Sequence, residues 1–121
     1  MRILIVEDEA VMLRLLVKFF SKHGHYALQA LDGEQAVDIY HRSGKDIDAV
    51  LLDLRLPKMG GDQVFNKIKI MNPAVKVVLA SGYLDPDIKT SLQLAGVKAF
   101  VDKPYVLSAV LELIKEIVSS D

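Results

Sequence analysis

Ile3-Leu4-Ile5-Val6-Glu7-Asp8 and Val50-Leu51-Leu52-Asp53 decide how this chain is read. In each stretch a short apolar run breaks abruptly into acid. Runs of that length are strand-sized, and their unbroken apolar character predicts strands buried on both faces. Glu7 and Asp8 then leave the end of one strand, and Asp53 leaves the end of another. Acids at loop mouths beside a rigid scaffold are more often chemical than structural. If the two strands lie side by side, three carboxylates converge, and like charges held close call for a cation.

Strand-like and helix-like segments alternate outward from these two runs. Arg2–Val6 reads as a strand. Met12, Leu15, Leu16 and Phe19 recur at helical spacing and read as a core stripe, with Gly24 closing the segment. Tyr26–Ala30 is a short second strand. Ala36, Val37 and Tyr40 share a helical face between Gly33 and about Arg42. Ala49–Leu52 is the third strand, followed by the loop Leu56-Pro57-Lys58-Met59-Gly60-Gly61. Val64, Phe65, Ile68 and Met71 mark the next helix, which Asn72-Pro73 stops. Val75–Ala80 reads as the fourth strand. Asp85-Pro86 opens a helix as a cap with proline in its first turn, and Gly96 ends it. Val97–Val101 is the fifth strand, and Val106, Val110, Leu113, Ile114 and Ile117 mark the last helix.

Five strands, each followed by a helix, predict an α/β fold with a parallel sheet covered on both faces. A closed barrel would need eight such units, so an open doubly wound sheet is expected. The 121 residues fit one domain, 1–121, and their 51% apolar content suffices for a core. With no cysteine, disulfides, thiolate metal sites and cysteine nucleophiles are excluded. No apolar run reaches membrane-spanning length, and the N-terminal residues lack a signal-peptide pattern. A cytoplasmic domain is the expectation. The net charge of −1, with no Lys/Arg block, gives no sign of direct nucleic-acid binding.

In an open parallel sheet, ligands bind beyond the carboxyl ends of the strands, where the strand order reverses. For the five-stranded order 2-1-3-4-5 that point lies between strands one and three, which puts Glu7, Asp8 and Asp53 in one crevice. Ser81 and Lys103 leave strands four and five at the same edge. An all-oxygen set with open positions suits Mg²⁺. Lys103 is a compact positive charge that can hold a phosphoryl oxygen, and Ser81 can donate a hydrogen bond to another. A carboxylate can itself act as nucleophile and form an acyl phosphate.

Along essentially its whole length the chain resembles the response-regulator receiver domains of two-component signalling, including those of hybrid sensor kinases. The resemblance rests on Glu7-Asp8, Asp53, Pro57, Gly61, Ser81-Gly82 and Lys103-Pro104. It implies a flavodoxin-like (βα)5 fold of order 2-1-3-4-5. It also implies that Asp53 accepts a phosphoryl group from a phosphohistidine on a histidine kinase or histidine phosphotransfer protein. Glu7, Asp8, Asp53 and the backbone carbonyl of Arg55 would hold Mg²⁺, with Asp8 the more direct ligand of the acidic pair. Ser81 and Lys103 would contact the phosphoryl oxygens, and Phe100 would occupy the aromatic switch position. The Lys103-Pro104 bond is expected to be cis. Phosphorylation would bias the surface of the fourth helix, fifth strand and fifth helix, which partners read. A homodimer through that same face is a further implication. Such a protein is a signalling switch rather than a classical enzyme.

Plainer readings accompany these. Asp53 could be a loop carboxylate, Glu7 and Asp8 could favour the first helix through its dipole, and Ser81 could be a turn hydroxyl. Lys103 could be a solvated lysine, and Phe100 is as much a core residue as a switch. Gly60-Gly61 fits a tight turn better than a phosphate cradle. His23, His25 and His41 fall away from the acid edge, and Met59 and Met71 read as packing residues. Arg55 and Tyr83 flank the site at positions that vary among receivers. Two rival functions remain: a receiver-like interaction module that takes no phosphate, and an aspartyl-phosphate phosphatase of the haloacid-dehalogenase type. The latter would want an acid where this chain has Arg55.

Overall fold

The computed structural model describes residues 1–120. Five strands alternate with five helices: β1 Arg2–Val6, α1 Ala10–Lys22, β2 Tyr26–Ala30, α2 Gly33–Ser43, β3 Ala49–Asp53, α3 Gly61–Met71, β4 Val77–Ser81, α4 Pro86–Ala95, β5 Ala99–Asp102 and α5 Leu107–Ser119. The sheet is parallel in the order β2-β1-β3-β4-β5, as the sequence predicts.

Side-chain alternation along the strands divides the core in two. Leu4, Val6, Val50, Leu52, Val77 and Leu79 face one side, where they meet Ala36 and Tyr40 of α2, Val64, Phe65 and Ile68 of α3, and Leu92 of α4. Ile3, Ile5, Leu51, Val78 and Ala80 face the other, against Leu13, Leu16 and Phe20 of α1 and Val110, Leu111 and Ile114 of α5. β3 and β4 are buried at every position, as a central parallel strand covered on both faces must be.

Two helices start on side-chain caps. The Asp32 carboxylate accepts from the Gln35 N–H at 2.8 Å. The Asp85 carboxylate accepts from the N–H groups of Asp87 and Ile88, with Pro86 in the first turn. Gly96 ends α4 at φ 113°, in the left-handed region that glycine tolerates.

The structure shifts several expected boundaries and faces. β4 runs Val77–Ser81 rather than from Val75, because the Val75 N–H is taken by Asn72 in the turn before it. β5 runs Ala99–Asp102 rather than from Val97, whose N–H closes the end of α4 on Leu92. On α1 the buried stripe is Leu13, Leu16 and Phe20. Leu15, expected in the core, is exposed, and Met12 and Phe19 are only half-buried. Apolar residues on both sides of this helix left the phase of its stripe ambiguous. Met71 and Val106, also expected to pack, are exposed at the end of α3 and just before α5.

Candidate functional site

The register of the sheet brings the acids together. β1 pairs with β3 from Ile3↔Ala49 to Val6↔Leu52, so Glu7 and Asp8 leave beside Asp53. One carboxylate oxygen from each of Glu7, Asp8 and Asp53 lies within 4.8 Å of the others. Glu7 is fully buried and Asp53 nearly so, while Asp8 faces solvent. The donor set is all oxygen, combining buried carboxylates with one reachable from water, and it fits a hard divalent cation such as Mg²⁺.

The Lys103 ammonium sits between two of these acids. It donates to Glu7 Oε1 and to Asp53 Oδ2, each at 3.0 Å. Burial works against the charge on Lys103, but its hydrogen bonds to Glu7 and Asp53, with their negative charges, outweigh this and raise its pKa above the usual lysine value. The Lys103-Pro104 peptide is cis, as expected. The Arg55 N–H donates to Asp53 Oδ1 at 3.1 Å, so both oxygens of Asp53 are held. Glu9 N–H donates to Glu7 Oε2 at 3.2 Å.

Ser81 is buried at the end of β4, opposite Asp102 of β5. Its hydroxyl donates to the Tyr83 carbonyl at 2.5 Å, so in this state it bonds within its own loop. A cavity of about 220 Å³ opens between Ser81, Leu84, Lys89 and Phe100. Phe100 is half-buried. Its ring packs on the core that α2, α3 and α4 cover, and the Lys89 ammonium lies 5.4 Å from its centroid. Both readings of Phe100, as packing and as a residue beside space it could fill, are compatible with this position.

The loop after β3 is shaped by Gly61. A Cβ there would collide with the Asp53 carbonyl oxygen and lie 2.7 Å from Leu54 Cα. The Gly61 N–H bonds to the Leu54 carbonyl at 2.8 Å, and the preceding loop passes through Lys58 at φ 66°. These contacts match the tight-turn reading of Gly60-Gly61. Arg55 and Tyr83 are both exposed at the rim. The histidines lie elsewhere: His25 Nδ1 is 3.0 Å from the N-terminal amine, and His23 bonds to the Phe19 carbonyl. A surface cleft of about 810 Å³ lies between α2 and α3 and includes none of Glu7, Asp8, Asp53 or Lys103. Convergent charge, rather than cleft size, marks the candidate site.

Sequence reasoning missed Tyr105. Its hydroxyl donates to Glu7 Oε1 at 3.4 Å, and its ring centroid lies 5.5 Å from the Lys103 ammonium. Burial, then the charges of Glu7 and Asp53, push the phenol pKa far up, so the hydroxyl keeps its proton and remains a donor. The signal available in the sequence was an aromatic hydroxyl two residues after Lys103.

A parallel 2-1-3-4-5 sheet with acids at the β1 and β3 ends, a hydroxyl at the last residue of β4 and a lysine after β5 defines a class, and the comparisons with known proteins agree. The chain belongs to the response regulator receiver domain family, which it matches over residues 3–115. It is 31% identical over 116 residues to sporulation initiation phosphotransferase F of Bacillus subtilis, covering 95% of this chain and 91% of that protein. It is 34% identical over 104 residues to a cyclic di-GMP phosphodiesterase of Thermotoga maritima, covering 86% of this chain but only 27% of that protein. Among solved structures, a chain of the CheX–CheY–BeF3–Mg²⁺ complex from Borrelia burgdorferi superposes with a TM-score of 0.91 at 28% identity, covering 98% of this chain and 90% of that one. The chain is thus a receiver domain of two-component signalling, a class that acts as switches and binds Mg²⁺ at an acidic pocket. No helix among the described residues is long and apolar enough to cross a membrane.

Proposed function

We propose that Asp53 is the phosphoacceptor of a Mg²⁺-dependent switch loaded by a phosphohistidine on a histidine kinase or histidine phosphotransfer protein. The observation that carries this reading is the convergence of Glu7, Asp8 and Asp53 on one crevice, with Lys103 bonded to Asp53. An Asp53 carboxylate oxygen attacks phosphorus, an acyl phosphate O–P bond forms, and the P–N bond to the donor imidazole breaks with its electron pair leaving on nitrogen. Mg²⁺, held by Glu7, Asp8, Asp53 and the Arg55 carbonyl, would supply positive charge against the transferring group. Lys103 turns from Glu7 and Asp53 to a phosphoryl oxygen. The Ser81 hydroxyl turns from the Tyr83 carbonyl to another, and the loop after β4 follows. Phe100 then fills the adjoining cavity, altering the α4-β5-α5 surface. Water later hydrolyses the acyl phosphate, returning the carboxylate and inorganic phosphate.

Residues 1–121 act as one cytoplasmic receiver domain in this reading. Its regulated surface, which includes exposed Ile88 and Leu94 of α4, meets a downstream partner or a second copy of the chain. The test is incubation with Mg²⁺ and a small phosphodonor. Acid-stable, base-labile phosphate should appear on the wild type and be lost in Asp53→Asn. Folded wild-type protein that takes up no phosphate overturns the reading and favours the phosphate-free interaction module.

A further inference from the structure

Tyr105 has no part in the transfer described above, yet it touches two of the groups that do. The fully buried Glu7 carboxylate accepts from three donors: Lys103 Nζ and the Tyr105 hydroxyl on Oε1, and the Glu9 N–H on Oε2. Of the two donors on Oε1, Lys103 is closer, at 3.0 Å against 3.4 Å. Lys103 is also the group drawn to an incoming phosphoryl oxygen. As it leaves, Oε1 loses its closer donor in a place that water does not reach. A buried carboxylate oxygen without a donor is costly, so something must replace the lysine or the movement is resisted. The Tyr105 hydroxyl already faces that oxygen and has room to tighten.

We infer that Tyr105 is a positioning residue whose hydroxyl holds Glu7 Oε1 when Lys103 turns to the phosphoryl group, so that the lysine is released without leaving that buried oxygen unpaired. The inference rests on the reading of Asp53 as phosphoacceptor. A phenylalanine at this position would keep the ring beside Lys103 and remove only the hydroxyl.

Tyr105→Phe is therefore the variant to test, by calorimetric titration with Mg²⁺ alone and then with beryllofluoride at saturating Mg²⁺. Mg²⁺ alone leaves Lys103 beside Glu7, so its affinity should change less than twofold. Beryllofluoride, which stands in for the phosphoryl group, should bind about tenfold more weakly, the scale of one hydrogen bond to a buried charge. In a Glu7→Gln background the same Tyr105→Phe change should cost less than twofold, because the charged acceptor is gone. Unchanged beryllofluoride affinity overturns the inference. An equal loss for Mg²⁺ and beryllofluoride also overturns it, since that marks a merely structural residue. So does a tenfold loss that persists in Glu7→Gln. Wild-type protein that binds Mg²⁺ but no beryllofluoride overturns the phosphoacceptor reading itself, and this inference with it.

Discussion

Replacing Lys103 with methionine keeps the length of the side chain and removes its charge. Its Nζ lies 3.0 Å from both Glu7 Oε1 and Asp53 Oδ2, and these side chains are 0% and 4% exposed. At that distance, with an effective dielectric near 20, each contact carries roughly 5 kcal/mol of gross attraction. Most of this offsets the desolvation of the three groups. What the substitution exposes is the remainder, two buried carboxylates without a counter-charge. Removing one partner of a buried ion pair typically costs about 3–5 kcal/mol. For a domain of this length, 3 kcal/mol lowers Tm by roughly 12 °C. Adding Mg²⁺ supplies the missing positive charge, so it should raise the Tm of Lys103→Met more than that of the wild type. Thermal unfolding with and without Mg²⁺ measures both effects. A variant within 2 °C of wild type, or one that gains no more from Mg²⁺ than wild type does, refutes the electrostatic reasoning.

The alkaline arm of stability should report the same lysine. Its folded pKa is raised, so its contribution is fully present below the unfolded value of about 10.4 and is lost as pH rises through the folded value. The stability gap between wild type and Lys103→Met should therefore hold from pH 7 to 9 and close only above about pH 10, followed by denaturant titration. Gly61→Ala forces a Cβ against Asp53 and Leu54 backbone atoms that cannot rotate away, and should cost about 3 kcal/mol in a chemical unfolding curve. Asp85→Ala removes the cap of α4 and should cost about 1 kcal/mol, or roughly 4 °C in Tm. Beryllofluoride with Mg²⁺ should shift the NMR resonances of Phe100 and Lys89, which meet across the cavity beside Ser81. Resonances that stay put there would remove Phe100 from the switch.

Much of the fold is legible because buried parallel strands leave a distinctive trace. Ala49–Leu52 and Ile3–Val6 have no polar face to show, so their apolar runs admit little but a central strand. The cap at Asp85-Pro86 is equally local, since a carboxylate followed by proline serves a helix start with no help from the rest of the chain. Where the local signal is ambiguous, tertiary contacts set the boundary and the buried face. Val75 and Val97 are as apolar as their strands, but their N–H groups serve the preceding turn and helix end, a choice made by backbone hydrogen bonds that composition does not encode. On α1 nine of the 13 positions are apolar, so only packing against Ile3, Ile5 and Leu51 selects Leu13, Leu16 and Phe20 over Leu15.

By itself the sequence determined the strand-helix alternation, the residues at each strand end and the chemical types that converge: three carboxylates, a hydroxyl and a lysine. These are local properties, carried by runs of a few residues. The tertiary structure decided how the convergent groups are shared. It buries Glu7 while leaving Asp8 in solvent, commits Lys103 to both Glu7 and Asp53, turns Ser81 toward Tyr83, and sets Tyr105 on the remaining side of Glu7. Glu7 and Lys103 are 96 residues apart, and their 3.0 Å contact arises only because β1 and β5 end at the same edge of one twisted sheet. Hydrogen bonds are selective over tenths of an ångström, and that precision comes from packing across the whole domain rather than from any stretch of the chain.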